Sequence, residues 1–365
     1  MLAYTIKRIL LIIPTILGIM AISFVIIQFA PGGPIERIIA QIEGTDSSAL
    51  SRISGGYSGD FSQGIQNSDT NSKYRGSQGL DEDFILELEK QFGFDKPPIE
   101  RFYHMIINYM TFDFGESYYR DIKVIDLVKE KLPVSISLGL WMTLISYIIS
   151  IPLGMMKAIR DGTKFDLWTS TIIVVSYALP GFLIAIFLII FFAGGSYLDW
   201  FPLRGLTSDN FHDLSLFGKI IDYMWHITLP LFSMVLAAFA TTTLLTKNSF
   251  LDEIGKQYVL TAKSKGLTDN QVLKRHVFRN AMLIIISGFP AAFISAFFTG
   301  SLLIETIFSL DGLGLLSFES IINRDYAVVF ATLYIFSFIG LLINLISDLL
   351  YHWIDPRIDF ETREI

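Results

Sequence analysis

The chain has 365 residues, 52% of them hydrophobic, and its mean hydropathy of +0.51 excludes an ordinary soluble domain and indicates an integral membrane protein. Its net charge of −7 argues against a nucleic-acid partner, because phosphate binding needs a concentrated basic surface. The absence of cysteine excludes disulfides and thiolate sites for metals or redox chemistry.

The first membrane-spanning helix is predicted in residues 1–30. Lys7 and Arg8 precede an unbroken apolar stretch at 9–30, which is longer than the apolar core of a secretory signal and has no evident small-residue cleavage site. We therefore expect this helix to stay in the protein, with its N-terminus in the cytoplasm.

An external insertion of domain size is predicted at 31–132, where the chain is mostly polar. Its middle, at 44–79, is rich in Gly, Ser, Asn and Asp and is predicted to be a flexible loop. An amphipathic helix is expected at 80–92. Tyr109 and Phe112 are expected in an aromatic belt at the membrane interface.

Five more spans are predicted in a core at 133–353, because each has about 20 consecutive apolar residues, the length that crosses a bilayer. They lie at about 134–156, 168–193, 226–246, 281–303 and 326–350. The connections 157–167 and 247–280 are rich in Lys and Arg, which predicts that both lie in the cytoplasm. The same bias places both chain termini inside, with 354–365 as a cytoplasmic tail.

Two features of these spans leave alternatives open. A proline lies in or near each of spans two to five, where it either kinks a helix that moves or is simply tolerated by neighbouring helices; these are Pro152, Pro180, Pro230 and Pro290. Phe289, Phe293 and Phe297 form one stripe on span five, which either packs against another helix or lines a substrate cavity.

The charged 247–280 segment is predicted to fold as two short helices. The first runs over 253–265, with Ser249 or Asp252 as N-cap, and Gly266 lies where a left-handed residue would end it. Thr268 and Gln271 have the spacing of a capping box that begins the second helix. An ordinary folded cytoplasmic loop remains an alternative interpretation.

Motifs for several chemistries are absent from the sequence. No G-x-x-x-x-G-K-[ST] loop is present, so the chain has no ATPase site of this type, and neither H-E-x-x-H nor G-x-S-x-G occurs. We therefore expect no enzyme, no catalytic residue, no metal site and no cofactor bound by this chain. The spans carry almost no charge at depth, which disfavours an ion-coupled secondary carrier.

Several motifs resemble permease subunits of ABC importers. Residues 258–267 match the pattern Tyr-Val-x-Thr-Ala-x-x-Lys-Gly-Leu and residues 276–281 match His-x-x-Arg-Asn-Ala, both typical of the peptide and nickel branch. Leu260 and Thr261 depart from the general Glu-Ala-Ala-x3-Gly signature. Residues 305–314 resemble the external re-entrant loop of peptide permeases, and 44–79 resembles the insert of the microcin-peptide type.

The resemblance implies an all-α fold of six transmembrane helices, the type I ABC importer permease fold, with site residues in two loops. The ATPase-coupling residues would be Glu253, Tyr258, Thr261, Ala262, Lys265, Gly266, His276, Arg279 and Asn280. The external gate would be formed by Glu305, Phe308, Gly312 and Gly314. Because Ala262 has almost no side chain, its helix is expected to approach a partner closely.

The resemblance also implies a function and partners. The chain would be a multi-pass permease of the bacterial inner membrane that imports peptides, surrounded by membrane lipid. It would assemble with a second homologous permease, two ATPase subunits that use ATP and Mg, and a periplasmic peptide-binding protein. Nickel as cargo, an ion-coupled secondary carrier, and a channel or membrane scaffold remain the alternatives.

Overall fold

The computed structural model describes residues 2–29, 35, 85–86, 89–90, 95–120, 122–193, 197–298 and 301–354. The loop predicted at 44–79, most of the helix predicted at 80–92 and the tail after residue 354 lie outside these ranges, so their predictions stay predictions.

Regular structure in the described residues is helical, apart from one isolated antiparallel bridge between Glu116 and Lys123. The longer helices are α1 (Leu2–Phe29), α2 (Pro98–Met110), α3 (Val124–Ile159), α4 (Lys164–Ala178), α5 (Gly181–Phe192) and α6 (Leu216–Ile254). They are followed by α7 (Gln257–Ser264), α8 (Asp269–Val272), α9 (Phe278–Phe298), α10 (Ser301–Ile307), α11 (Leu313–Asn323) and α12 (Tyr326–Ile354). The all-α prediction is confirmed.

Four stretches of the described helices are long and apolar enough to cross a membrane: Tyr4–Gln28, Val124–Ile159, Asp269–Ile294 and Tyr326–Leu350. Two bent pairs of helices pass the same test together, which brings the number to six if each pair is one span. This number equals the six spans predicted from hydropathy.

The third predicted span, at 168–193, is broken by its proline. α4 ends at Ala178, and α5 starts after Pro180 at an angle of 92°. Pro180 provides no amide hydrogen and pushes the residue before it toward extended backbone, which is the conformation of Leu179. Pro152, Pro230 and Pro290 lie inside helices that continue past them.

The predicted start of the first short helix is wrong. α6 continues to Ile254, so no helix starts at Ser249 or Asp252; the hydroxyl of Ser249 instead donates to the carbonyl of Ala281 at 2.7 Å. The first breaker in this stretch is Gly255, which caps α6, and hydropathy alone could not separate a span from its helical extension. α9 is described to Phe298 and residues 299–300 lie outside the described residues, so the predicted end of the fifth span at 303 stays a prediction.

The chain divides into two compact units, and the larger contains residues 1–11, 131–315 and 338–365. In this unit α6 packs against α4, α5 and α9. Its core includes Leu138 and Ile227. Arg8 at the start of α1 forms an ion pair with Asp348 near the end of α12, at 3.0 Å.

The smaller unit contains residues 12–130 and 316–337. Tyr109 is 5% exposed and lies edge-on to Phe114 and Tyr334, at centroid distances of 4.8 and 5.5 Å. It therefore packs inside the unit, whereas the sequence predicted an interfacial position. The same burial raises the pKa of its phenol.

Candidate functional site

Between the end of α6 and the start of α9, the 247–280 segment folds into two short helices and one π-helical turn. α7 is followed by Gly266, whose φ is +83°, a conformation that favours glycine. Thr268 caps α8, and both hydrogen bonds of its capping box with Gln271 are present. The glycine turn and the capping box are confirmed. Leu273–Val277 then forms a single π-helical turn, an element that is frequent at functional sites.

An apolar cluster attaches these short helices to the ends of the spans. Val259 and Ala262 of α7 and Val272 of α8 are buried in it. The cluster is completed by residues of α3, α6, the π turn and α9; these are Ala158, Phe250, Val277, Ala281 and Ile285. The segment is therefore packed onto three long helices, which argues against a loop without tertiary contacts.

Ala262 faces inward. It is 6% exposed and lies in the apolar cluster, so its small side chain permits a close approach within the chain. The sequence placed that close approach at a partner. The spacing of apolar residues could have indicated this inward orientation, since Val259 and Ala262 are three residues apart and therefore lie on the same face of a helix.

Leu260 is the outward-facing residue that the list of predicted coupling residues missed. Its side chain is 64% exposed. Thr261, Lys265 and Gly266 are exposed as well. A single large apolar residue next to the buried face of a short amphipathic helix is the pattern that could have identified it.

Three predicted coupling residues meet in one polar cluster. The phenol of Tyr258 donates to a carboxylate oxygen of Glu253 at 2.6 Å, and the side chain of Asn280 hydrogen-bonds both groups. Burial, followed by the bond to Glu253, raises the pKa of Tyr258 to about 12. Lys256 pairs with the same carboxylate. The cluster joins the end of α6 to the starts of α7 and α9.

His276 and Arg279 lie elsewhere on the segment. His276 is exposed on the π turn, and Arg279 is exposed in the first turn of α9. The structure therefore separates the predicted coupling residues into the buried Ala262, the polar cluster at the end of α6, and an exposed set.

The predicted external gate is organised by a buried carboxyl group. Glu305 is 0% exposed; its Oε1 accepts from the Ser135 hydroxyl at 3.2 Å, and its Oε2 accepts from the Leu315 amide at 2.8 Å. The Ser135 oxygen in turn accepts from the Leu313 amide at 2.8 Å. Two amides at the start of α11 that have no partner in the helix are thus satisfied by α3 and α10.

Of the other gate residues, Gly312 lies against this carboxyl group. It is buried, and Gly314 is partly buried in the first turn of α11. Phe308 is buried in the apolar core of its unit. Lys131 and Asp311 form an ion pair beside the loop.

The aromatic stripe of span five contacts α3 through Phe289. Phe289 lies edge-on to Tyr147 at 5.5 Å, and Phe293 stacks on Phe289 at 6.3 Å. The side chain of Phe297 is outside the described part of the structure. The packing interpretation is therefore supported for Phe289, whereas the stacking of Phe293 lies within α9 itself.

Comparison with known proteins gives a family and several relatives. The family model described as "Binding-protein-dependent transport system inner membrane component" matches residues 150–360. The peptidoglycan transport system permease protein YejB of Agrobacterium fabrum is 63% identical, covering 100% of both chains. The inner membrane ABC transporter permease protein YejB of Escherichia coli O157:H7 is 55% identical, covering 99% of this chain and 100% of the relative.

A more distant relative carries another name. The oligopeptide transport system permease protein AppB of Bacillus subtilis is 32% identical, covering 99% of this chain and 100% of the relative. With the family match to more than half of the chain, these relatives show that the chain belongs to the inner membrane components of binding-protein-dependent transport systems.

Proposed function

We propose that this chain is the permease subunit of an ABC importer that moves peptides across the cytoplasmic membrane, driven by ATP hydrolysis in separate subunits. The observation that carries the proposal is the geometry of α7. This helix presents Leu260 and Thr261 outward while Val259 and Ala262 hold it against three long helices. Packed side chains and rigid helices carry coupling between distant sites, so a firmly attached helix with an exposed face suits contact with a partner that moves.

The names of the relatives support a peptide cargo. One relative is named for peptidoglycan transport and another for oligopeptide transport. Both cargos contain peptide bonds, so we propose short peptides and the peptide-bearing fragments of peptidoglycan as the substrate class. Nickel is the cargo that the sequence patterns left open.

The proposed partners include subunits that hydrolyse ATP, because this chain has no motif for doing so. The sequence has no phosphate loop, so two ATPase subunits would use ATP and Mg in its place. A second homologous permease would complete the pathway, and a periplasmic peptide-binding protein would deliver the cargo. The exposed face of α7 would contact an ATPase subunit.

The ion pair between Arg8 and Asp348 supports the proposed topology. Arg8 lies near the start of the first span and Asp348 near the end of the last, so their contact supports a topology with both chain ends on the same face of the membrane. The 247–280 segment is rich in Lys and Arg, which supports the cytoplasm as the location of that face.

The mechanism follows from linked equilibria. Nucleotide binding would move the ATPase surface, the apolar cluster would pass this displacement from α7 to α3, α6 and α9, and the spans would rearrange. Such coupling needs contacts that differ between two states of the pathway. The loop around Glu305 would contribute the external contacts that change.

Reconstitution tests the proposal. The chain is co-purified with its partners and placed in proteoliposomes, and accumulation of a defined mixture of isotope-labelled short peptides and muropeptides is measured with ATP, without ATP, and with an ion gradient alone. We expect accumulation only with ATP. Accumulation driven by the gradient alone would establish a secondary carrier, and ATP-dependent uptake of radioactive nickel without peptide uptake would overturn the cargo.

A further inference from the structure

A fully buried lysine lies at the end of α3. Lys157 is 0% exposed, and its Nζ is 2.8 Å from Oδ1 of Asp166. The same nitrogen donates to the hydroxyls of Thr169 at 2.9 Å and Ser170 at 2.7 Å, and to the carbonyl of Asp166 at 3.0 Å. The sequence counts Lys157 among the basic residues of a cytoplasmic connection, whereas the structure uses it to tie α3 to the first turns of α4.

A second lysine reaches the same carboxylate from α6. Lys247 is the first residue of the 247–280 segment, and its Nζ donates to Oδ1 and Oδ2 of Asp166 at 2.9 and 2.8 Å. Asp161 lies 2.8 Å from this nitrogen. The amide of Gly162 also donates to Asp166, at 3.3 Å. Two lysines and two aspartates thus form a charge-balanced junction, named here the Asp166 junction.

Close backbone packing holds α3 and α6 together beside this junction. A Cβ on Gly154 would lie 2.6 Å from the Cβ of Thr246 and 2.8 Å from the carbonyl of Thr243, so the two helices touch one turn before Lys157. Ala158 belongs to the apolar cluster that holds α7 and α8. The end of α3 therefore contacts both the junction, through Lys157, and the apolar cluster, through Ala158.

Stability is a weak reason for such a junction. Well-packed apolar residues often replace buried ion pairs without loss of stability, because removing charges from water is costly. What an ionic junction provides and an apolar contact does not is direction, since each lysine must meet a carboxylate oxygen at a defined place. Asp166 meets both lysines and so defines the position of α3, α4 and α6 together.

We propose that Asp166 is a positioning residue for transport, which joins the 247–280 segment to α3 and α4 so that these elements move as one body when the ATPase subunits change state. The inference rests on the proposed function for its ATP-driven motion. It adds a specific path: displacement of α7 is passed through Lys247 and Asp166 to spans two and three.

A charge-balanced double variant tests the path. Lys247→Met with Asp161→Asn removes the connection from α6 and leaves the Lys157–Asp166 pair intact. We expect the complex to assemble and hydrolyse ATP, while labelled peptide accumulated per ATP falls about tenfold, within the range of ordinary allosteric coupling. Lys247→Arg keeps the charge and the donors and should restore normal uptake per ATP, which a purely structural role of the side-chain volume would not predict.

A matched control uses an exposed ion pair. Lys129 and Asp126 are 70% and 59% exposed in their side chains. Lys129→Met with Asp126→Asn makes the same chemical changes outside the junction and should leave uptake per ATP unchanged. Normal uptake per ATP in the Lys247→Met, Asp161→Asn variant would overturn the proposal.

A distance measurement, which needs no cargo, tests whether the 247–280 segment and α4 move as one body. The natural chain has no cysteine, so spin labels are placed at Lys164→Cys in α4 and Asn270→Cys in α8, and their separation is measured by electron paramagnetic resonance in the assembled complex. The distance should be the same with and without ATP in the otherwise unchanged chain, and should broaden and depend on ATP in the double variant. An ATP-dependent distance in the unchanged chain would overturn the inference, whereas absence of ATP-driven uptake by that chain would overturn the proposed function instead.

Discussion

A Cβ on Gly312 would lie 2.4 Å from Oε1 of the buried Glu305 carboxyl group. No side chain larger than hydrogen fits there unless Glu305 moves, and Glu305 holds the start of α11 through Leu315 and the hydroxyl of Ser135. A glycine and a glutamate seven positions apart thus shape the loop before α11 by direct contact.

Gly312→Ala should therefore destabilise the protein. The added methyl group must displace a buried carboxyl group or the backbone, and overpacking of this kind costs about 1–3 kcal/mol. We expect a lower melting temperature in detergent, measured by intrinsic fluorescence. Gly18→Ala is the control, because a Cβ at Gly18 has nothing within 4 Å. Equal melting temperatures for the two variants would show that a Cβ at Gly312 is not crowded by the Glu305 carboxyl group.

Leu260→Asp and Ala262→Trp should separate partner binding from folding. Leu260 is exposed, so its replacement should reduce recovery of the ATPase subunit in a pull-down without changing the melting temperature. Ala262 is buried, so a tryptophan there should lower the melting temperature as well. Leu216→Asp changes a leucine that is even more exposed, at the start of α6 and outside the 247–280 segment, and should affect neither measurement.

Gly266→Val should cost activity through the backbone. Nothing lies within 4 Å of a Cβ at Gly266, but its φ of +83° is strained for a β-branched residue, by on the order of 1–2 kcal/mol. We expect membrane insertion to persist and ATP-driven uptake to be lost. Gly266→Asn should retain most uptake, since asparagine adopts positive φ more readily. Normal uptake by the valine variant would show that the turn is not needed.

Tyr258→Phe should weaken the polar cluster in a pH-dependent way. Its hydroxyl donates to Glu253, a bond worth about 1 kcal/mol at a partly exposed site. The pKa of Tyr258 is about 12 in the fold and 10.0 ordinarily, so this stabilisation is complete below pH 10 and is lost between pH 10 and about 12. Carbon NMR of labelled tyrosine, assigned with the variant, checks the pKa; titration near 10 would contradict the cluster.

Ser117→Ala should destabilise the smaller unit. The hydroxyl donates to Asp325 at 2.5 Å, and both residues are buried, so removing the donor costs about 1–3 kcal/mol. Burial raises the pKa of Asp325 and the Ser117 bond lowers it, so the cost should shrink as pH falls and the carboxyl group is protonated in both proteins. Melting temperatures across pH check this expectation.

Ser137→Ala provides the matched control for that comparison. The hydroxyl of Ser137 donates to the carbonyl of Val134 in its own helix, at 2.9 Å. Its removal should cost less and show no dependence on pH in the acid range. A pH-independent loss for Ser117→Ala would rule out Asp325 as the group that senses the missing hydroxyl.

Local physics made part of the candidate site predictable. Gly266 and the Thr268 capping box depend on backbone conformation and on hydrogen bonds within four residues, and the structure has both as predicted. The orientation of α7 depends instead on how it packs against the long helices α3, α6 and α9. Local reasoning therefore predicts that Ala262 contacts a partner and does not identify Leu260 as the outward-facing residue.

The sequence by itself determined six apolar stretches and the turns of the 247–280 segment, because hydropathy and backbone restrictions act within a few residues. It did not distinguish Pro180, which breaks its span, from the three prolines that lie inside continuous helices. Only the tertiary structure decided which distant groups meet. Ser135 and Glu305 are 170 residues apart, and Asp166 and Lys247 are 81 apart. A buried charge is compatible with any well-placed group of opposite charge, so its own chemistry does not specify the partner. The packing of the helices decides which group lies within reach.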